Sequence, residues 1–283
     1  MTSAFVLSGG GNVGAVHVGM LLALEEAGVR PDLVVGTSVG AVNGAWLASG
    51  LPSSELAKVW ESLRRSDVFP FNPFVGLAGF AGRANHVVSQ HRLRRLLERH
   101  VTIERLEDAP IPLGVVATDV LTGGATLLKS GPAVDAVLAS AAIPAIFAPV
   151  KLGGRWLMDG GVIDNAPISH AVSLGADRIW VLAAGYSCAL DRPPQSALGM
   201  GLHAATLSIH ARLALDVERY AATHDLRVIP PLCPLSVAPT DFSQSRRLIE
   251  RAQRHTRAWL DAGVAKHPTS ASDAAANLAI HTH

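Results

Sequence analysis

Gly36-Thr37-Ser38-Val39-Gly40 stands between a short apolar run and a helical one, and that placement constrains the fold more than any other feature. Ala4-Phe5-Val6-Leu7-Ser8 reads as a buried strand that runs into glycines. Gly14 to Ala27 carries Val16, Met20, Leu21 and Leu24 at helical spacing, with Gly28 as its stop. Leu33-Val34-Val35 is a second buried strand, and Val39 to Ser49 a second helix ended by Gly50. Strand, helix, strand, helix with connections this short implies parallel strands joined by right-handed crossovers.

The later chain repeats this grammar less regularly. Ser53 is expected to cap a helix through Leu63, and Gln90 to His100 forms another, with Leu93, Leu96 and Leu97 on one face. Strands are expected at Pro112–Asp119, Ala125–Ser130, Arg155–Met158, Arg178–Ala184 and Leu226–Ile229. Helices are expected at Ala133–Ala142, Ile168–Leu174, Ser243–Leu260 and over most of Gln195–His224. At roughly 150 residues per domain, 283 residues fit one or two domains. With no repeat and no linker, one is the better reading: residues 1–265 as a domain, residues 266–283 as a poorly ordered tail.

Composition removes several classes of function. Hydrophobic residues at 49% against 17% charged suit a chain with a large core. A net charge of +1 offers no basic excess to recruit nucleic acid, or to hold an anionic membrane by charge alone. Two cysteines, Cys188 and Cys233, argue against a disulfide scaffold or thiolate zinc site and suit a reducing compartment. Met1 to Leu24 is uncharged, but it lacks a positive n-region and Gly9-Gly10-Gly11-Asn12 interrupts it. The uncharged stretch Leu33 to Ser54 contains four glycines and Pro52, which argues against a membrane span. The expected location is therefore cytoplasmic, with peripheral contact at a membrane surface allowed.

A serine on a tight strand-to-helix turn is thrust out of the sheet in a strained conformation. Gly36 and Gly40, two residues to either side, let strand and helix pass closely. The following helix begins at Val39 and points free N–H groups at a developing oxyanion. The plain alternative is a serine in a Gly-rich turn. Gly9-Gly10-Gly11-Asn12-Val13-Gly14 fits G-x-G-x-x-G and admits two readings. A dinucleotide site wants an acid at the end of the second strand, yet Asp32 precedes that strand. The favoured reading is an oxyanion cradle of backbone N–H groups beside Ser38.

A serine nucleophile needs a base. Twelve histidines are scattered along the chain, and none sits in a recognisable catalytic frame. His17 reads as structural. Asp159 ends the apolar run Trp156-Leu157-Met158 and precedes Gly160-Gly161. An acid there is expected at the carboxyl edge of the sheet, where open α/β sheets place their sites. An ordinary turn aspartate is the bland alternative.

The glycine loop, the serine pentapeptide and Asp159-Gly160-Gly161, in that order, resemble the patatin-like phospholipase family. Ala117-Thr118-Asp119 with Thr122-Gly123, and Ala141-Ala142-Ile143-Pro144 through Pro149-Val150, add to the likeness, which extends from Ala4 to about Leu182. The resemblance implies a three-layer α/β/α fold with a central, mainly parallel sheet. It also implies hydrolysis of lipid acyl esters without metal or organic cofactor. Ser38 would be nucleophile and Asp159 base, with oxyanion donors on the backbone of Gly9, Gly10 and Gly11. Gly14, Gly36, Gly40, Gly160 and Gly161 would be the motif glycines. Two alternatives remain: a triad using a later histidine such as His170 or His224, and a nucleotide-binding module on the Gly9–Gly14 loop.

One position departs from the family pattern. Val13 stands where the family usually has Arg or Lys, which favours neutral or small esters over anionic head groups. Residues 69–80 hold four of the seven phenylalanines and no charge. They read as an irregular apolar loop, either core filler or a flap over Ser38 that meets lipid.

Overall fold

Five apolar runs become five parallel strands, and both faces of each are covered. The computed structural model describes residues 1–70, 85–184, 192–233, 237, 240–263 and 267. The opening unit is β1 (Ser3–Leu7), α1 (Ala15–Glu26), β2 (Leu33–Thr37) and α2 (Val39–Ala48). Helices α3 (Ser53–Ser62), α4 (Arg65–Val68) and α5 (His91–His100) follow. Next come β3 (Leu113–Asp119), β4 (Ala125–Leu128), α6 (Ala133–Ser140), β5 (Val150–Leu152) and β6 (Arg155–Asp159). The chain continues through α7 (Ile168–Ser173), β7 (Arg178–Leu182), α8 (Ala197–Ala221), β8 (Asp225–Ile229) and α9 (Ser245–Asp261).

The sheet has the order β5-β6-β3-β2-β1-β7-β8, with β4 pairing β3. β3, β2, β1, β7 and β8 are mutually parallel, whereas β4, β5 and β6 join antiparallel. Side chains of β1 alternate between two cores, as period-2 geometry demands. Phe5 and Leu7 pack with α1, α2 and α9, while Ala4 and Val6 pack with α7 and α8. The result is the expected three-layer α/β/α arrangement around a mainly parallel sheet.

Register brings two strand ends together. β4 and β2 both pair with Val115 and Val116, so they occupy opposite edges of β3. β4 and β6 both pair with Ala117 and Thr118, so they too are on opposite edges. β2 and β6 therefore share one edge, β2 along Leu113–Val116 and β6 along Ala117–Asp119. They run in opposite directions and meet end to end. This corrects the expected reason for the position of Asp159. β6 is antiparallel to the central strands, so its own carboxyl end points inward from their carboxyl edge. Asp159 reaches that edge only because β6 overlaps the last three residues of β3.

Smaller corrections follow from local geometry. Ser53 does not cap α3: Pro52 stands at the cap with extended backbone, and the Ser53 amide donates to the Glu25 carboxylate at 3.3 Å. The three-residue strand β5 is too short for a periodicity signal, and it pairs with β6 across Gly153-Gly154. Cys233 is disulfide-bonded, so the argument from cysteines to a reducing compartment falls away. The tail expected at residues 266–283 lies outside the described residues apart from His267.

The elbow depends on an absent side chain. A Cβ on Gly40 would lie 2.1 Å from the Leu7 carbonyl oxygen, so α2 can cross the end of β1 only without one. Backbone cannot yield as a flexible side chain would. Gly40→Ala is expected to destabilise the protein by about 3 kcal/mol, the upper part of the overpacking range. Urea unfolding would check this, and a loss below about 1 kcal/mol would contradict the close crossing.

Candidate active site

The end-to-end meeting of β2 and β6 sets Ser38 against Asp159. Ser38 has φ 56 and ψ −124, a backbone conformation that costs a non-glycine residue about 1–3 kcal/mol. Its Oγ donates to Asp159 Oδ2 at 2.6 Å, and the other carboxylate oxygen accepts the Gly161 amide at 2.8 Å. Both residues are buried. Burial pushes the Asp159 carboxyl up to about 6, against the opposing pull of the Ser38 and Gly161 hydrogen bonds.

A set of small polar groups fixes the two partners. Ser140 Oγ accepts the Ser38 amide at 2.8 Å and donates to the Val116 carbonyl at 2.6 Å. The Thr118 hydroxyl donates to the Asp159 carbonyl and the Asp159 amide to the Ala142 carbonyl, each at 2.9 Å. The Asp119 carboxylate accepts the amides of Thr122 and Leu121, which hold it below the usual range and form the turn after β3. The Thr37 hydroxyl donates to the Asp164 carbonyl at 2.9 Å. Thr118, Asp119 and Ala142 lie in segments that the sequence likeness singled out. Ser140 carried no sequence signal, because a lone serine at a helix end is unremarkable.

The glycine loop lies beside this pair, with one role changed. The Gly9 amide donates to the Asn165 carbonyl at 3.0 Å, so it is not an available oxyanion donor. Gly9 instead lacks a Cβ that would meet Asn165 Oδ1 at 2.3 Å and the Ser38 Cβ at 3.2 Å. Among the described residues no partner engages the amides of Gly10, Gly11 and Val39, the three remaining predicted donors. Gly36, Gly14, Gly160 and Gly161 serve close packing. Their missing Cβ atoms would meet Gly40 O, Val39 Cγ2, Val116 O and Asn165 Oδ1, each within 2.8 Å.

Two recesses meet at Ser38. A cleft of about 550 Å³ is lined by Gly10, Gly11, Ser38, Ile143 and Asp159. Across it stands one face of α8. On the other side an apolar pocket is lined by Trp60, Leu93, Phe147 and Phe242. Phe69 lines it too and stacks on Phe147 with ring centroids 5.6 Å apart. The rest of the expected flap, from Phe71 to Phe80, lies outside the described residues.

The competing site residues are occupied elsewhere. Asp32 stands at the start of β2, where its carboxylate accepts the Ser3 amide at 2.8 Å, at the opposite end of the strands from the glycine loop. His17 is fully buried with Nε2 on the Leu182 carbonyl, and burial lowers its pKa to about 4. His170 Nδ1 faces Asp164 Oδ2 at 2.9 Å. His224 precedes β8 at the amino edge of the sheet and contacts Thr223 and Tyr220. Neither His170 nor His224 is among the described residues lining the cleft.

The sequence matches the family described as patatin-like phospholipase over residues 5–172. It is 35% identical over 175 residues to an uncharacterised NTE family protein of Mycobacterium tuberculosis, covering 62% of this chain and 46% of that relative. Identity to human patatin-like phospholipase domain-containing protein 6 is 33% over 191 residues, 65% of this chain and 13% of the relative. A lysophospholipase of Phaeosphaeria nodorum matches over 282 residues at 30% identity, 90% of this chain and 18% of the relative. The chain therefore spans less than half the length of these curated relatives. VipD from Legionella pneumophila aligns over 92% of this chain and 67% of its own at 16% identity, with a TM-score of 0.49.

Proposed function

The chain belongs to the patatin-like phospholipase family, and from that membership we propose that it is a serine hydrolase of lipid acyl esters working through a Ser38–Asp159 dyad. The observation that carries this reading is the 2.6 Å hydrogen bond from Ser38 Oγ to a buried carboxylate. A carboxylate at its ordinary pKa near 3.9 is a weak base for a hydroxyl. Held at about 6, Asp159 is ionised at neutral pH and more basic.

Asp159 takes the hydroxyl proton as Ser38 Oγ attacks the ester carbonyl carbon. The negative charge on the former carbonyl oxygen meets the unengaged amides of Gly10, Gly11 and Val39. As the intermediate collapses, the ester C–O bond breaks and the protonated Asp159 returns its proton to the leaving alkoxide. Water, deprotonated by Asp159, then attacks the acyl carbon; the bond to Ser38 Oγ breaks, and Asp159 returns the proton to Ser38 Oγ as the fatty acid leaves. The apolar pocket suits the acyl chain, and the larger cleft the remainder of the lipid. The domain comprises residues 1–265, works without a cofactor, and requires only transient contact with a lipid surface. Among the described residues no helix is long and apolar enough to cross a membrane.

Incubation with a fluorophosphonate probe, followed by mapping of the adduct, tests this directly. Labelling at Ser38 together with release of fatty acid from lipid esters is expected. No labelling, combined with tight dinucleotide binding, would favour the glycine loop as a nucleotide site. His170→Ala and His224→Ala should each cost about tenfold or less in turnover, well short of the 10²–10⁴ typical of losing a general base. A histidine variant as inactive as one lacking Asp159 would replace the dyad with a triad.

A further inference from the structure

We propose that Arg212, on α8, is a specificity-determining residue that grips the phosphodiester of a phospholipid head group in the cleft beside Ser38. The inference rests on the hydrolase reading above and refines its substrate class. It also revises the expectation drawn from Val13, because the cation absent from the glycine loop is supplied from another element.

The cleft wall facing the dyad is built by Ala205, Ser208, Ile209, Arg212, Leu213 and Asp216. Their spacing places all six on one face of α8. Arg212 is the one basic residue among the described residues lining the cleft. Its Nε donates to Asp216 Oδ2 at 2.8 Å, and Asp216 is buried while the guanidinium is about half exposed. That contact uses one of five N–H donors and fixes the plane of the group. Both terminal nitrogens lack a protein partner among the described residues. A guanidinium held by a carboxylate on one side can present a two-nitrogen fork to a phosphate on the other.

The neighbouring acids narrow the ligand further. Asp164 also lines the cleft, with its carboxylate held by Ser169 at 3.2 Å and His170 at 2.9 Å. Asp216 offsets the charge of Arg212, and Asp159 adds a third carboxylate. A dianionic phosphate would meet this acidic surround at greater cost than a singly charged diester. The arrangement therefore selects a head-group diester over free phosphate or a phosphomonoester. It also couples the two recesses: the acyl chain lies on the apolar side of Ser38, the phosphate on the α8 side.

The test compares a lysophospholipid with a monoacylglycerol of the same acyl chain, so that the acyl pocket is held constant. Arg212→Gln should lower the ratio of kcat/KM for lysophospholipid over monoacylglycerol by about tenfold to hundredfold, from loss of hydrogen bonds to a charged group. The change should fall mainly in KM, and Arg212→Lys should recover part of it. Inorganic phosphate should inhibit the neutral ester weakly, and equally in wild type and variant. An unchanged ratio would overturn the assignment. Strong phosphate inhibition that Arg212→Gln removes would instead make Arg212 a free-anion site. Wild type that labels at no serine and cleaves neither ester would defeat the hydrolase reading itself, a result separable from the others.

Discussion

Ser38→Ala is expected to lower ester turnover by at least about 10⁴-fold and to abolish fluorophosphonate labelling, because the reacting atom itself is removed. The stability of the same position separates chemistry from architecture. Alanine keeps a Cβ at φ 56 and so retains the backbone strain, while losing the hydrogen bond to Asp159. Ser38→Gly loses that bond too but occupies this backbone region freely. The glycine variant should therefore be about 1 kcal/mol more stable than the alanine variant, although both are inactive. Urea unfolding of the two proteins checks the difference. Equal stability would mean that the elbow is not strained, and labelling that survives in either variant would move the nucleophile elsewhere.

That strain is legible in the sequence itself. Gly36 and Gly40 around Ser38 can serve one another only if strand and helix cross closely, and a Cβ on Gly36 would lie 2.4 Å from the Gly40 carbonyl oxygen, as that requires. Asp159 was legible as a residue but not through the right geometry. Its run reads as a strand, yet a single run carries no information on direction, and the antiparallel entry of β6 comes from pairing with β3. Gly9 was misassigned for a similar reason. A run of three glycines does not reveal that the first amide is taken by the carbonyl of Asn165, 156 residues away. Ser140 and Arg212 act through tertiary placement alone, and neither lies in a motif. The β5 strand was missed because three residues cannot display a period.

Asp159→Asn is expected to reduce turnover by several orders of magnitude while making the fold more stable at neutral pH. The loss of activity follows because among the described residues no other base is hydrogen-bonded to Ser38 Oγ. The gain in stability follows from the cost of keeping a buried carboxylate ionised. In the folded protein its pKa is about 6, against an ordinary value of 3.8, so the fold favours the protonated form. Well below pH 3.8 the group is protonated in both folded and unfolded chains, and no cost arises. As pH rises from about 4 to 6 the unfolded chain gives up its proton more readily, and the folded protein loses up to roughly 3 kcal/mol. Asparagine does not titrate; its side-chain oxygen can still accept the Gly161 amide, and its NH₂ can donate to Ser38 Oγ. The stability of Asp159→Asn relative to wild type should therefore grow between pH 4 and 6 and level off above. Over the same interval wild-type kcat/KM should fall as pH is lowered through about 6, while the residual activity of the variant shows no such inflection. A stability difference that does not change across this range would remove the buried, raised carboxylate from the mechanism. A variant that retains wild-type turnover would remove Asp159 as the base.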